Sequence, residues 1–133
     1  MLITALAAPI MVTAMWHPRA PELTEPALRP DEIHVTDARV QQPSPLWIDA
    51  REAAIYAQGH VPGALPLNES SWDDGIAAVV AAWDPARLTI VYCDQRACQE
   101  SRQVAERLRT DYQMEPVRVL HGGWAAWRAY SAR

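Results

Sequence analysis

Cys93 is the residue of this 133-residue chain that is best placed for covalent chemistry. It follows residues 88–92 (LTIVY), whose composition predicts a buried strand, and a helix-forming stretch over residues 99–109 begins shortly after it. Turn amides and a helix N-terminus at such a junction point N–H groups inward, and their partial positive charge favours an anion. The placement therefore predicts that Cys93 is a reactive thiolate, the alternative being a small buried apolar residue.

The polar loop after Cys93 is the predicted substrate-binding segment. Its members are Asp94, Gln95, Arg96, Ala97 and Cys98. The guanidinium of Arg96 adds positive charge beside the predicted thiolate, and Arg102 in the following helix is a second candidate for that role. We expect the loop to bind either the thiolate or an oxyanion through its amides.

Cys98 stands five positions after Cys93 and has two interpretations. As a resolving thiol it would attack an oxidised or sulfur-loaded Cys93 and form a disulfide. As a structural residue it would only add apolar surface at the start of the helix. A curled loop permits the Cα separation of about 4.4–6.8 Å that a disulfide needs but does not enforce it. Both interpretations stay open at this point.

Asp49 and Arg51 follow another apolar strand, residues 46–48 (LWI). The functional crevice of an open α/β sheet lies beyond the carboxyl ends of its strands, so both residues are expected near the cysteine loop. We interpret them as supporting residues that hold the loop through hydrogen bonds or an ion pair.

Other residues capable of chemistry are predicted to be structural. His60 is expected to fix a turn rather than to move a proton, and His121 to lie in solvent rather than to face the crevice. Trp124 and Trp127 are expected to belong to the core rather than to the rim of a substrate site. A solvated helix face is predicted for Glu100, Glu106, Arg107 and Arg109.

Composition excludes several classes of function. All 12 basic residues are arginines, so no lysine is present to form a Schiff base or to serve a phosphate loop. A net charge of −4 and a pI of about 5.5 argue against a nucleic-acid partner. Two cysteines without a nearby histidine supply too few ligands for zinc, so no metal is expected.

The order of the predicted elements indicates an α/β fold. Apolar runs typical of strands occur at residues 32–35, 46–48, 64–67, 88–92 and 117–120. Helix-forming stretches separate them, one of which is expected to begin at Ser70 or Ser71 and to bury Ile76, Val79, Val80 and Trp83. Such alternation predicts a central, mostly parallel five-stranded sheet flanked by helices on both faces.

The N-terminal segment, residues 1–16, is free of charged residues. As a helix it would reach about 24 Å, short of the roughly 30 Å hydrocarbon core, and Pro9 interrupts it. It is a membrane anchor, a signal or misplaced start, or an apolar segment packed on the domain. Residues 17–31 are rich in proline and predict a linker, so the domain spans residues 32–130. The localisation is accordingly cytoplasmic or membrane-anchored.

Three segments resemble the signatures of the rhodanese-like domain family. The first comprises residues 46–52 (LWIDARE) with 56–64 (YAQGHVPGA), the second is the strand end VYC at residues 91–93, and the third is residues 120–127 (LHGGWAAW). They follow the family's order and cover about residues 32–130. The resemblance implies a single rhodanese-like domain and a sulfurtransferase whose catalytic cysteine, here Cys93, cycles through a persulfide.

The implied reaction moves a sulfane sulfur from a donor such as thiosulfate to a small-molecule or protein thiol, without metal or organic cofactor. The active-site loop departs from the family pattern. Cys98 stands where an arginine is usual, and the serine that usually follows directly arrives at Ser101. Arg96 or Arg102 is therefore expected to take the place of the usual arginine.

Two other functions remain alternatives. A rhodanese-like module without activity would bind a partner or sense redox state. A thiol–disulfide reductase, or an oxyanion-handling enzyme of the arsenate-reductase or phosphatase type, would use Cys93 together with Cys98.

Overall fold

A computed structural model describes residues 27–95 and 98–133. The apolar segment at residues 1–16 and most of the predicted linker lie outside the described residues, as do Arg96 and Ala97. Within those two described ranges, no helix combines the length and the apolar character needed to cross a bilayer.

Strands and helices alternate along the described chain. They are β1 (Glu32–Ile33), α1 (Val35–Arg39), β2 (Leu46–Asp49), α2 (Ala53–Gln58), β3 (Leu65–Pro66), a 3₁₀ turn (Glu69–Ser71), α3 (Trp72–Ala82), β4 (Thr89–Tyr92), α4 (Glu100–Tyr112), β5 (Val117–Leu120) and α5 (Gly123–Ser131). The strands form one five-stranded sheet in the order β1-β5-β4-β2-β3, and every pairing is parallel. The predicted α/β class is confirmed.

Helices cover both faces of this sheet because the central strands are apolar on both sides. Every residue of β2 and β4 is buried. Leu46 and Ile48 pack into the core beneath α3 and α4, whereas Trp47 between them packs into the core beneath α1 and α5. Strands buried on both faces are typical of parallel sheets.

The register of the sheet brings the two chemically interesting segments to one edge. Asp49 of β2 lies level with Tyr92 of β4, and the Ala50 N–H donates to the Tyr92 carbonyl at 2.8 Å. Arg51 and Cys93 therefore leave the sheet side by side, where the chain turns away from parallel strands and a crevice opens.

The start of α3 differs from the prediction. Ser70 and Ser71 do not cap it through their side chains; instead the Asn68 carboxamide oxygen accepts a hydrogen bond from the Ser71 N–H at 2.9 Å across the 3₁₀ turn. The predicted burial of Val80 is also wrong, since 45% of it is exposed, and Trp72 in the first turn of α3 packs into the core.

The outer strands are shorter than predicted. β1 contains two residues and α1 begins at Val35, so the predicted strand over residues 32–35 is only half formed. β3 likewise contains two residues. Each of these strands lies at an edge of the sheet and pairs on one side only, so tertiary contact rather than hydrophobic pattern sets its length.

Candidate active site

Cys93 directly follows β4, and only 3% of its surface is exposed. Its carbonyl oxygen accepts a hydrogen bond from the Trp124 N–H at 2.7 Å, and the Asp94 carbonyl accepts one from the Ala125 N–H at 3.0 Å. The first turn of α5 thus holds the backbone of the cysteine loop. Gly123 permits this approach because its φ is 56° and because a Cβ there would collide with the Cys93 carbonyl oxygen.

The sulfur of Cys93 is joined to that of Cys98 in a disulfide, with the two Cα atoms 6.3 Å apart. The hydroxyl oxygen of Ser101, in the first turn of α4, lies 3.3 Å from the Cys93 sulfur, and Ser101 is buried. Once the disulfide is reduced and Cys93 is ionised, this hydroxyl can donate a hydrogen bond to the thiolate. The sequence offered one indication of this contact, namely a serine at the start of the helix that follows the cysteine loop.

Cys98 lies at the mouth of the site beside a carboxylate. Its sulfur is 2.7 Å from Oε2 of Glu100, the first residue of α4. Glu100 was predicted to belong to a solvated helix face, and although it is exposed its carboxylate is directed at the sulfur. The sequence could not reveal this contact, because it depends on how the loop between β4 and α4 folds back.

A cavity of about 760 Å³ opens at this edge of the sheet. Its lining residues are Ala50, Arg51, Glu52, Ile55, Asn68, Glu69, Ser70, Cys93, Asp94, Gln95, Cys98, Gln99 and Glu100. Three of the predicted loop residues, Asp94, Gln95 and Cys98, line the same cavity as Cys93. The other two, Arg96 and Ala97, lie outside the described residues.

The described lining of the cavity is predominantly acidic. Four of its side chains are carboxylates, namely those of Glu52, Glu69, Asp94 and Glu100, and a single described side chain, that of Arg51, is cationic. An acidic lining attracts positively charged groups and repels anions, while neutral groups are little affected.

Arg51 and Asp49 form a buried ion pair behind this lining. Arg51 Nη2 lies 2.6 Å from Asp49 Oδ2 and donates to the Gly59 carbonyl at 2.7 Å. The hydrogen bond to Asp49 raises the pKa of Arg51 and outweighs the effect of its burial. Arg51 Nη1 also lies 3.6 Å from the Asp94 carboxylate. One guanidinium therefore links the end of β2 to the cysteine loop and to the turn after α2.

Tyr92 completes this buried network. Its hydroxyl donates to Asp49 Oδ2 at 2.8 Å and accepts a hydrogen bond from the Val61 N–H at 3.0 Å. Burial, with the negative charge of Asp49, raises the pKa of Tyr92, so the phenol stays protonated. Two hydrogen bonds thereby fix the hydroxyl of Tyr92, the residue immediately before the nucleophile.

Arg102, proposed above as a substitute for the usual arginine, is not among the described residues that line the cavity. Its charge acts on Glu32 of β1, an edge strand that β5 separates from β4. Burial raises the pKa of Glu32, but the Arg29 N–H, His121 and Arg102 together lower it further than burial raises it. The prediction that Arg102 serves the cavity gains no support from the geometry.

The predictions for His60 and His121 have different outcomes. His60 fixes a turn as predicted, with its Nδ1 2.8 Å from the Tyr56 carbonyl oxygen. His121 was predicted to be exposed and is buried instead, 3.2 Å from Glu32 and edge-on to His34. The wrong prediction arose because β1 pairs with β5 and covers the strand end that carries His121.

Trp124 and Trp127 pack against the core beneath α1 and α5, as predicted. The Trp124 ring is stacked on Tyr92 with centroids 6.2 Å apart, and the Arg51 guanidinium lies 4.8 Å from its centroid. Trp124 therefore also contributes to the wall that holds Arg51 in place.

Among the described residues, Cys93, Cys98 and Glu100 are the group with spacing suited to a metal, their ligand atoms lying within 4.8 Å of one another. Glu100 was predicted to lie on a solvated helix face and not near the cysteines. Three groups leave a tetrahedral zinc shell one ligand short, and the disulfide removes both thiolates from coordination.

Comparison with known proteins identifies the family. A sequence model of the rhodanese-like domain matches residues 33–130. The fold is similar to that of BH2092 protein from Bacillus halodurans, with a TM-score of 0.62 and 20% identity over 75% of this chain and 72% of that one. It is also similar to a rhodanese-like domain protein from Staphylococcus aureus, with a TM-score of 0.55 and 19% identity over 73% of this chain and 90% of that one. Identities this low support a shared fold alone, whereas the match over residues 33–130 supports membership: the chain belongs to the rhodanese-like domain family.

Proposed function

We propose that this protein is a sulfurtransferase that carries a sulfane sulfur as a persulfide on Cys93. The main support is the position of that sulfur, which lies between the end of β4 and the first turn of α4, with the Ser101 hydroxyl 3.3 Å away and the cavity in front of it. The N-terminal end of a 13-residue helix and a hydroxyl donor both stabilise negative charge on sulfur. The family membership is consistent with this activity.

The proposed reaction has two half-reactions and begins with the reduced protein. The Cys93 thiolate attacks the outer sulfur of a donor such as thiosulfate; the sulfur–sulfur bond of the donor breaks and sulfite leaves with the electron pair. The resulting persulfide anion lies in the cavity, with the Ser101 hydroxyl beside the inner sulfur. An acceptor thiolate then attacks the outer sulfur and Cys93 leaves as a thiolate. Such a sequence produces ping-pong kinetics.

The first test is the formation of thiocyanate from thiosulfate and cyanide by the prereduced protein. We expect turnover by the wild type and by Cys98→Ser, which keeps the nucleophile and serves as the matched control, and none by Cys93→Ser. Equal background rates in all three proteins would remove the proposed activity for this donor and would favour a binding module without activity.

A second candidate function is thiol–disulfide or oxyanion reduction by the cysteine pair. The disulfide between Cys93 and Cys98 supports it, because the loop brings the two sulfurs into bonding contact. This function requires both cysteines in every turnover, so Cys98→Ser would abolish activity while leaving the first covalent adduct on Cys93. Mass spectrometry of the prereduced Cys98→Ser variant after treatment with a sulfane donor separates the two: a gain of one sulfur atom supports transfer, and the absence of any added sulfur supports reduction.

A further inference from the structure

Glu100 and Cys98 together form a unit that has no role in the transfer reaction described above. The Glu100 carboxylate lies 2.7 Å from the Cys98 sulfur, and the Cys98 sulfur reaches the sulfur of Cys93 itself. In the reduced protein, the Glu100 carboxylate can therefore accept the proton of the Cys98 thiol. The same thiol lies within reach of the Cys93 sulfur, which is the inner sulfur of a persulfide on Cys93. A carboxylate within hydrogen-bond distance of a reacting proton is the geometry of general base catalysis.

We propose that the protein also releases the carried sulfur as hydrosulfide, with Cys98 as the attacking thiol and Glu100 as the catalytic base and acid. This inference rests on the proposed persulfide at Cys93. It adds a second fate for that intermediate, namely reduction to sulfide in place of transfer to an external thiol.

The step balances as follows. Glu100 takes the proton of the Cys98 thiol, and the Cys98 sulfur attacks the inner sulfur of the Cys93 persulfide anion. A bond forms between Cys93 and Cys98, the bond from Cys93 to the outer sulfur breaks, and the outer sulfur leaves with the electron pair. It takes the proton from Glu100 and departs as HS⁻. The sulfane sulfur gains two electrons, and the cysteine pair loses two in becoming a disulfide.

Attack at the inner sulfur is favoured over attack at the outer one by the reach of the loop. The disulfide joins Cys98 directly to the Cys93 sulfur, which is buried, whereas the outer sulfur of a persulfide would extend into the cavity. Capture at the outer sulfur would only move the persulfide to Cys98, and it would not produce the bond that the structure contains.

A further turnover requires reduction of the Cys93–Cys98 disulfide. A dithiol, either a small molecule or a protein with a cysteine pair, would donate two electrons and two protons and leave as its own disulfide. Cys98 is the half-buried member of the pair and Cys93 the buried one, so we expect the dithiol to attack Cys98 first.

The test is a single turnover without external reductant. The prereduced protein is treated with one equivalent of a sulfane donor, and hydrosulfide, persulfide and disulfide are measured by sulfide trapping and intact mass. We expect the wild type to release one hydrosulfide per chain and to end as the disulfide, and Cys98→Ser to retain one added sulfur. We expect Glu100→Gln to load at least as fast as the wild type but to release hydrosulfide about 100-fold more slowly, with a release rate that rises with pH because solvent must then deprotonate Cys98.

Two controls separate this inference from the proposed function. Glu106→Gln removes a carboxylate from the same helix, away from the cavity lining, and should behave as wild type. Glu100→Asp should restore part of the release rate. If Cys98→Ser never gains sulfur from any donor tested, the proposed persulfide itself fails. If Cys98→Ser loads but the wild type keeps its persulfide, or if Glu100→Gln releases hydrosulfide as fast as wild type, only the present inference is overturned.

Discussion

At the scale of single residues, the environment of Cys93 comes from groups on three different elements. Ser101 of α4 lies beside its sulfur, the N-terminus of α5 holds its carbonyl, and the Asp49–Arg51 pair at the end of β2 holds the preceding Tyr92. Of these groups, Ser101 is the one that acts directly on the sulfur. Its removal should therefore change the reactivity of Cys93 more than the fold.

We predict that Ser101→Ala, made in a Cys98→Ser background, slows alkylation of Cys93 at neutral pH by roughly tenfold. A hydrogen bond to a charged group contributes about 1.5–3 kcal/mol, and its loss disfavours the thiolate relative to the thiol. The measurement is the rate of reaction with iodoacetamide as a function of pH. Thr110→Ala removes an exposed hydroxyl from the same helix and is the matched control. Unchanged alkylation in Ser101→Ala would mean that helix and loop amides suffice.

At the scale of elements, α5 is the structural partner of the cysteine loop. The N–H groups of Trp124 and Ala125 bind the carbonyls of Cys93 and Asp94, so the final helix begins directly on the backbone of the nucleophile. The close approach explains the glycine pair of the LHGGWAAW segment. Both Gly122 and Gly123 have positive φ, and Gly123 has no space for a side chain.

We predict that Gly123→Ala destabilises the fold by about 2 kcal/mol or more and abolishes loading of Cys93. Alanine is disfavoured at a φ of 56°, and its Cβ would displace the Cys93 carbonyl. Gly63→Ala is the matched control, because Gly63 also has a positive φ, 79°, but nothing lies within 4 Å of the site of a Cβ. Urea unfolding and the donor-loading assay give the two readouts. Equal losses in both variants would show that backbone conformation alone, and not contact with Cys93, explains the glycine.

At the scale of the whole molecule, the charges of the described residues disfavour a small anionic donor. The chain carries a net charge of −4, and the described cavity lining has four carboxylates against the Arg51 guanidinium, which is already paired with Asp49. Thiosulfate is a dianion, so its approach should be opposed by this field. A neutral persulfide or polysulfide, or a thiol flanked by basic residues, would meet no such opposition.

We predict that Glu52→Gln lowers the KM for thiosulfate by roughly two- to fivefold and leaves kcat unchanged, as expected for a screened surface charge worth up to about 1 kcal/mol. Added salt should also lower the KM of the wild type for thiosulfate, because at 0.1 M it screens the repulsion between the donor and carboxylates more than about 10 Å away. Steady-state kinetics with Glu106→Gln as the control measure both effects. A KM that rises with salt would contradict an acidic cavity.

The hydrophobic pattern was sufficient to predict the framework of the fold. The runs at residues 46–48, 88–92 and 117–120 became the three central strands, because β2 and β4 are buried on both faces and β5 buries every residue except Arg118. The edge strands and the burial of Val80 were predicted less well. Pairing on one side only sets the length of the edge strands, and packing against the sheet decides which face of α3 is buried; neither leaves a periodic signal in the sequence.

The sequence predicted which residues near Cys93 could belong to the candidate site, but it did not predict the tertiary contacts that these residues make. Cys93 and Cys98 were identified because a thiol after a buried strand is conspicuous in the sequence. The roles of Ser101 and Glu100 depend on the rotation of α4 and on the path of the loop, which sequence spacing does not determine. The burial of His121 likewise follows from strand pairing between β1 and β5, which are distant in sequence.

The contact between the start of α5 and the carbonyl of Cys93 has a consequence for biosynthesis. During translation, β4 and its cysteine emerge from the ribosome before the glycine pair that later secures them. Until residues 123–125 have been synthesised and docked, the thiol lacks its backbone anchors, so the nascent chain should acquire its reactivity only late in synthesis. Ribosome-bound intermediates of graded length, treated with a thiol-reactive dye, would reveal the length at which that reactivity appears.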